Sequence, residues 1–403
     1  MTELFTDAPS YPMRRTHPLA PPPALDELRH HRPVCPVTLW NGQHAWLVTR
    51  NSDVRKVLGD PRVSADPHSP GYPSLSKGRS EAPDRAGSFN HLDPPQHDVF
   101  RNMLSGEFTV RAISRMSPLV QHIVDNVISS MLAGPRPVDL VTAFALPVPS
   151  QVICAILGVP YEDHAFFESR TATRMDLGAS PATVRSANEE ILSYLHELVA
   201  RKTRHPQDDL LSRLAVRHVL SGSLTHEALV DMARLLLVNG YETTANMLSL
   251  SVLALLQAPE QMAELTRDPS AQAVKNAVEE LLRHQTIVHI APTRAVLSDI
   301  EVGGQTIKAG EGVITSLASA NQDDDVFEDP QTLDISRDAR WHLAFGHGIH
   351  HCLGHPLARL ELQTALGTLL RRIPALRLAV PLSDVPFKHD GGLYGVHRLP
   401  VSW

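Results

Sequence analysis

The sequence predicts one mainly α-helical domain with a minor β region, on three observations. Apolar residues recur at helical spacing through most of the chain from Pro95 onward. One such pattern, His226 to Gln257, would reach about 48 Å as a helix and must cross the interior. Between Ala291 and Leu317, short Val, Ile and Thr segments are broken by Gly303-Gly304 and Gly310, which reads as a small sheet.

In chain order, the prolines at 9, 12, 18, 21, 22 and 23 predict an extended arm, since Pro lacks the donor that helices and inner strands need. His44–Thr49 reads as a strand and Asn51–Leu58 as a short helix. Asp66–Asn90, rich in Pro, Gly and Ser, reads as a long binding loop or lid. Val110–Leu132, Leu140–Leu157 and Ser186–Ala200 read as helices, with Arg201–Asp209 a charged linker. Thr225 is the N-cap expected for the long helix, and Glu227 complements its first turn. Ala271–His284 and Pro356–Arg372 read as further helices, and Leu376–Trp403 as strand and turn. No repeat or clear linker divides the chain, so residues 1–403 read as a single domain.

Composition narrows the function. With 403 residues, 42% hydrophobic and 20% charged, the chain is globular and not disordered. A net charge of -7 gives no reason to expect a nucleic-acid partner. Cys35, Cys154 and Cys352 are too scattered for a disulfide scaffold, which suits a reducing, cytoplasmic setting. Residues 1–15 have no signal-peptide core. The run Leu248–Ala258 is short of the roughly 20 residues a bilayer span takes, so no membrane association is expected.

The loop Phe345-Gly346-His347-Gly348-Ile349-His350-His351-Cys352-Leu353-Gly354 carries the most chemistry. Cys352 precedes a helix, whose first N–H groups favour a thiolate. The glycines let backbone approach something large and flat, or take positive φ. Such a thiolate can be the axial ligand of a haem iron. Cys352 also reads as a plain buried thiol, or as part of a zinc site with His342, His347, His350, His351 and His355. Structural zinc uses paired ligands at set spacings, and this loop has one Cys.

The loop resembles the haem-binding signature of cytochrome P450, Phe-Gly-x-Gly-x-His-x-Cys-x-Gly, at every fixed position. The resemblance implies the P450 fold, with haem b between the long helix and the Cys loop. Cys352 would be the metal ligand, and Phe345, Gly346 and Gly354 would contact the cofactor. N–H groups near Leu353 and Gly354 would bond the sulfur. His350, His97, Arg101 and Arg294 would hold the haem propionates. Glu280-Leu281-Leu282-Arg283 matches the Glu-x-x-Arg motif, with Arg337 completing a buried structural network. Asn239-Gly240-Tyr241-Glu242-Thr243-Thr244 resembles the oxygen-binding signature. Gly240 would leave room over the iron, and Glu242 and Thr243 would relay protons to reduced dioxygen. Asn239 departs from the usual Ala or Gly and is read as an anchor for a polar substrate or a water. Gln322 departs from the usual Arg at a structural position.

By the same resemblance, the chain is expected to be a monomeric monooxygenase fed by a ferredoxin and an NAD(P)H-dependent ferredoxin reductase. The partner would dock near Cys352, His347 and Arg359. Candidate walls for a mostly apolar small molecule, such as a secondary metabolite, are Leu235, Asn239, Val288, Ala291 and Leu393. The loop Asp66–Asn90 and the stretch Phe166–Met175 join them. Two other readings compete: a peroxide-driven or oxidative-coupling haem-thiolate enzyme, and a non-enzymatic haem sensor or binding protein. The acid–alcohol pair Glu242 and Thr243 argues against both, since neither needs two protons delivered.

Overall fold

The computed structural model describes residues 8–75, 89–176, 178–389 and 391–403. The helices are α1 (Pro23–His31), α2 (Asn51–Gly59), α3 (Gln96–Ser105), α4 (Val110–Ser114), α5 (Ser117–Ala133), α6 (Pro147–Leu157) and α7 (His164–Met175). They continue as α8 (Pro181–Arg204), α9 (Leu210–Leu214), α10 (His226–Gln257), α11 (Pro259–Arg267), α12 (Ala271–Gln285), α13 (Leu317–Ala320) and α14 (His355–Arg372). Strands β1 (Val34–Thr38), β2 (His44–Val48), β8 (Gly312–Thr315), β5 (Thr293–Val296) and β3 (Val63–Ser64) form one sheet in that order. Its β2–β8 pairing is parallel and the others antiparallel. Smaller sheets join β4 (Val138–Asp139), β10 (Pro400–Ser402) and β9 (Arg377–Leu378), and β6 (Ile300–Val302) with β7 (Gln305–Ile307).

The long pattern folds as read. Thr225 accepts the Ala228 N–H at the start of α10, and the helix runs unbroken from His226 to Gln257. It is buried almost all round, packed by α6, α8, α12 and α14. An apolar helix in this setting draws its stability from burial, about 1.5–3 kcal/mol for each large aliphatic side chain. Gly240 and its neighbouring threonines are carried by that packing despite poor propensity.

Several boundaries differ from expectation, each for a local reason. Val110–Leu132 divides into α4 and α5 at Arg115-Met116, because Pro118 lacks an N–H and begins a new helix. The start of Leu140–Leu157 is a π-helical turn, Val141–Ala145, before α6. The supposed linker after α8 is an anchor: Lys202 and Asp209 form a buried ion pair at 2.6 Å. Asp209 also caps α9 by accepting the Ser212 N–H. The proline arm is not extended throughout, since Pro23 opens α1. The helical stretch expected near Phe166–Met175 is α7, whereas strand β1, whose Pro36 is tolerated at a sheet edge, and helix α11 were not anticipated. Of the loop Asp66–Asn90, residues 76–88 lie outside the described residues. Among the described residues, no helix is long and apolar enough to cross a membrane.

Candidate active site

One wall of the site is the loop before α14. The Cys352 N–H donates to the Phe345 carbonyl at 2.9 Å, closing the loop on itself. Gly346 and Gly348 take φ of +73°. A Cβ on Gly348 would stand 2.2 Å from the Leu58 carbonyl oxygen, so only glycine lets the loop lie against the end of α2. Gly354 has an ordinary φ of -80° as the N-cap of α14; it lines the cavity simply by lacking a side chain.

Cys352 is exposed, but to the cavity it lines. Burial away from bulk water pushes its thiol pKa up. The N–H groups of Gly354 and His355, and the charges of Arg101 and Arg359, pull it back toward thiolate. The N–H groups that act on the sulfur are those of Gly354, the N-cap of α14, and His355, its first residue. Among the described residues, no group of three or more His, Cys, Asp or Glu could hold a metal ion by itself, which weighs against the zinc arrangement.

Cationic and donor groups converge beside the loop. Arg101 donates to the His351 carbonyl at 2.7 Å, and Arg294, almost fully buried, donates to the Thr293 carbonyl at 2.8 Å. Burial lowers the pKa of both. The rings of His97 and His350 meet edge to face with centroids 4.5 Å apart. Nε2 of each is buried with no hydrogen-bond partner. Burial, then the charges of Arg294, His97, His91 and Arg101, drive His350 down to about 3. No ion pair joins Arg101 or Arg294 to a carboxylate among the described residues. Buried positive charge without a counter-ion is costly. The arrangement fits a ligand that brings its own carboxylates, as a haem brings two propionates.

The opposite wall is α10. Leu235, Asn239, Gly240, Thr243 and Thr244 line the cavity. Thr243 donates to the Asn239 carbonyl at 2.8 Å, and the Asn239 amide donates to the Leu235 carbonyl at 2.9 Å. One helical stripe therefore has its carbonyls bonded by side chains. Gly240 serves packing as well as space: a Cβ there would stand 2.8 Å from Ile153 of α6. Glu242 does not line the cavity. Its buried carboxylate turns to Lys388, at 3.6 Å, and Oε2 has no hydrogen-bond partner.

Of the expected walls, Leu235, Asn239 and Val288 line the cavity, as do Phe89 and Asn90 from the long loop. Ala291 and Leu393 do not, nor does any residue from Phe166 to Arg174. Residues Ile287, Val288 and Pro292 bracket Ala291, whose partly buried side chain packs instead against the Tyr11 and Leu25 cluster. Arg359 is not a free docking charge, because Glu279 holds it with bonds of 2.6 and 2.8 Å. Arg55, which meets His347 at 3.3 Å and bonds the carbonyl of exposed Trp341, stands on that face instead. Arg283 and Glu280 are fully buried together, and Arg337 reaches Glu280 at 3.3 Å.

One buried acid was missed. Glu361 on α14 lines the same cavity, bonds Thr244, and has its Oε2 unpartnered. Burial pushes its carboxyl up to about 8. Its only sequence signal was a charge at an inward position of α14.

Comparison with known proteins gives this geometry its family. Residues 30–394 match the family model described as Cytochrome P450. The chain is 50% identical to "Cytochrome P450-SU2" of Streptomyces griseolus, covering 96% of this chain and 94% of that protein. It is 46% identical to "Cytochrome P450 GfsF" of Streptomyces halstedii. The crystal structure of GfsF superposes with a TM-score of 0.92, covering 98% of this chain and all of that one. The crystal structure of mycinamicin VIII C21 methyl hydroxylase from Micromonospora griseorubida, bound to mycinamicin VIII, gives a TM-score of 0.93 at 42% identity, over 98% of this chain and 100% of that one. The fold is the mainly α fold of that family, and membership carries monooxygenase activity. The chain belongs to the cytochrome P450 superfamily, in its actinomycete, CYP105-like branch.

Proposed function

We propose that this protein inserts one atom of O2 into a mostly apolar secondary metabolite, with electrons from a ferredoxin and an NAD(P)H-dependent ferredoxin reductase. The observation that carries the reading is the single cavity in which Cys352, Thr243 and Arg101 meet, beside His97, His350 and Arg294. Haem b, when bound, supplies the activation of O2. Cys352 would ligate its iron, and His97, Arg101, Arg294 and His350 would hold its propionates by charge-assisted bonds.

The chain's own groups then divide the work. The hydroxyl hydrogen of Thr243 is given to the Asn239 carbonyl, so toward the cavity Thr243 presents lone pairs. It orients a water or protonated group as an acceptor. Glu242 is the acid that supplies protons from the far side of α10. Asn239 has spent its donor on Leu235, so it offers the substrate its carbonyl oxygen. Leu235, Val288, Ile287 and Leu236 supply an apolar, water-excluding surface. A hydroxylated, largely apolar substrate matches such a wall. The relative named for the C21 methyl of mycinamicin VIII points to the same class. Monomeric, cytoplasmic operation belongs to the same reading.

The test is product formation with a surrogate ferredoxin, its reductase and NADPH. The reading expects product in proportion to NADPH consumed, and Thr243→Ala consuming NADPH without matching product. Product formed only with added peroxide would favour the peroxide-driven alternative.

A further inference from the structure

Glu242 is the buried carboxylate of α10 that the cavity does not contain, and its surroundings are specific. Two paired segments, 386–389 and 391–397, form a hairpin across this face of the helix: Lys388 N–H donates to the Gly395 carbonyl at 2.9 Å, and His397 N–H to the Pro386 carbonyl at 2.8 Å. Gly395 presses on Asn246, one turn beyond Glu242, so closely that a Cβ would stand 2.1 Å from the Asn246 Oδ1. The absence of a side chain at 395 is what brings the hairpin down onto α10. That contact delivers Lys388, whose Nζ stops 3.6 Å from Glu242 Oε1. The separation is that of an ion pair and is too long for a good hydrogen bond. The lysine side chain is 21% exposed and the glutamate side chain 9%. The pair therefore spans from the edge of solvent to the buried flank of the helix that carries Thr243.

We propose that Lys388 is a positioning residue for proton supply: its ammonium stabilises the ionised form of the buried Glu242 carboxyl and holds it within reach of solvent, so that it can give a proton up and take one back. The inference rests on the reading of Glu242 as the proton-supplying acid. The electrostatics point the same way. Burial is the largest influence on Glu242 and raises its pKa, and Lys388 is the group that opposes it. Tyr241, next on the helix, is a neutral phenol whose pKa burial raises further; it donates to the Phe167 carbonyl at 3.2 Å and supplies no charge. From the hairpin side Lys388 supplies the charge, and from α10 itself Asn246 supplies only dipoles. Without Lys388, burial alone decides, and the carboxyl is held neutral. A permanently protonated Glu242 cannot give its proton up, because its ionised form has no counter-charge. In the proposed cycle the Glu242 carboxyl gives one proton inward and becomes a carboxylate. It then takes one proton from solvent and returns to the start, with no other bond made or broken.

The hairpin also touches the region around the cavity. The Gly391 carbonyl accepts a bond from His289 Nε2 at 2.9 Å, next to the cavity-lining Val288, and Gly391 bridges to Asp176 beyond α7. The element that holds Lys388 is thus tied to the segment that lines the substrate space.

The test uses haem-loaded protein and infrared difference spectroscopy from pH 5 to 9. The protonated Glu242 carbonyl band is assigned by its loss in Glu242→Gln. The proposal expects Lys388→Met to show this band at pH values where the wild type does not, with the midpoint raised by about 1–3 units. Lys388→Arg should restore the wild-type midpoint, which a merely structural role would not require. The ratio of product to NADPH should shift along pH in the same direction. An identical Glu242 band in wild type and Lys388→Met overturns the proposal. If Lys388→Met does not fold, Lys388→Gln and Lys388→Arg carry the comparison. Should Glu242→Gln leave the product ratio unchanged at every pH, the reading of Glu242 as the acid fails, whatever Lys388 does to its titration.

Discussion

Arg283 grips Glu280 through two parallel bonds of 2.7 Å, and both side chains are completely buried. The same guanidinium donates to the carbonyls of Asn321 and Pro330, each at 2.8 Å. Glu280 also accepts the Asp334 N–H at 3.1 Å and the Arg337 side chain. This network ties α12 to the segment that leads into the Cys loop. Removing one partner leaves an unpaired buried charge, which costs about 3–5 kcal/mol. Arg283→Lys keeps the charge but cannot make the two-point bond. Both Glu280→Gln and Arg283→Lys are expected to lower the urea midpoint and the yield of haem-loaded protein. Equilibrium unfolding of each variant checks this.

Glu361 gives a pH dependence of definite sign. Its carboxyl is raised from the usual 4.5 to about 8 in the folded chain, so the native state holds a proton that the unfolded state releases. Stability from this group is therefore fullest below about pH 4.5 and is lost as pH rises toward about 8, flattening above it. Glu361→Gln should remove that slope and gain stability over wild type at pH 9, by at most a few kcal/mol. Thermal melts of both proteins between pH 5 and 9 decide it. Parallel curves would mean that Glu361 is ionised in the native state.

Much of this was legible beforehand, and what was not has a common cause. Local signals read well: Thr225 as a cap, the spacing of Phe345 to Gly354, and the apolar face of Ala271–His284 all act within a few residues. The order of motifs then placed Cys352, Glu280 and Thr243. What failed depended on partners far along the chain. Nothing near Glu361 says that Thr244 and a cavity await it. Nothing near Lys388 says that Gly395 will lower it onto Glu242. Arg359 resembled a free surface charge until Glu279 met it across α12. Pro118 and Pro23 were local signals that could have been used, since each opens a helix.

Gly240 is predicted to be needed for packing. In Gly240→Ala the new methyl meets Ile153 Cδ1 and Cγ1, both at 2.8 Å, and α6 must give way. Overpacking of this kind costs about 1–3 kcal/mol. Ile153→Val, which removes Cδ1, should recover part of the loss in the double variant. Denaturant unfolding of the two single variants and the double variant measures the coupling. Additive losses would show that the two positions do not touch.

Arg294 is predicted to act on haem retention. It is buried near His350, and among the described residues no carboxylate lies within ion-pair distance of it, Asp93 acting only from further away. If a propionate is its partner, Arg294→Gln loses a charge-assisted bond, worth about 1.5–3 kcal/mol. Haem transfer to apomyoglobin should then be about ten- to a hundredfold faster than from wild type. An unchanged rate would mean that Arg294 does not hold the cofactor.

Cys352 would ligate a haem iron as a thiolate, between α14 and α10. The visible spectrum of the dithionite-reduced protein under carbon monoxide tests it most directly. The expected result is a strongly red-shifted Soret band that Cys352→Ser abolishes. A Soret band at the position of ordinary histidine-ligated haem, or one unaltered by Cys352→Ser, would contradict it.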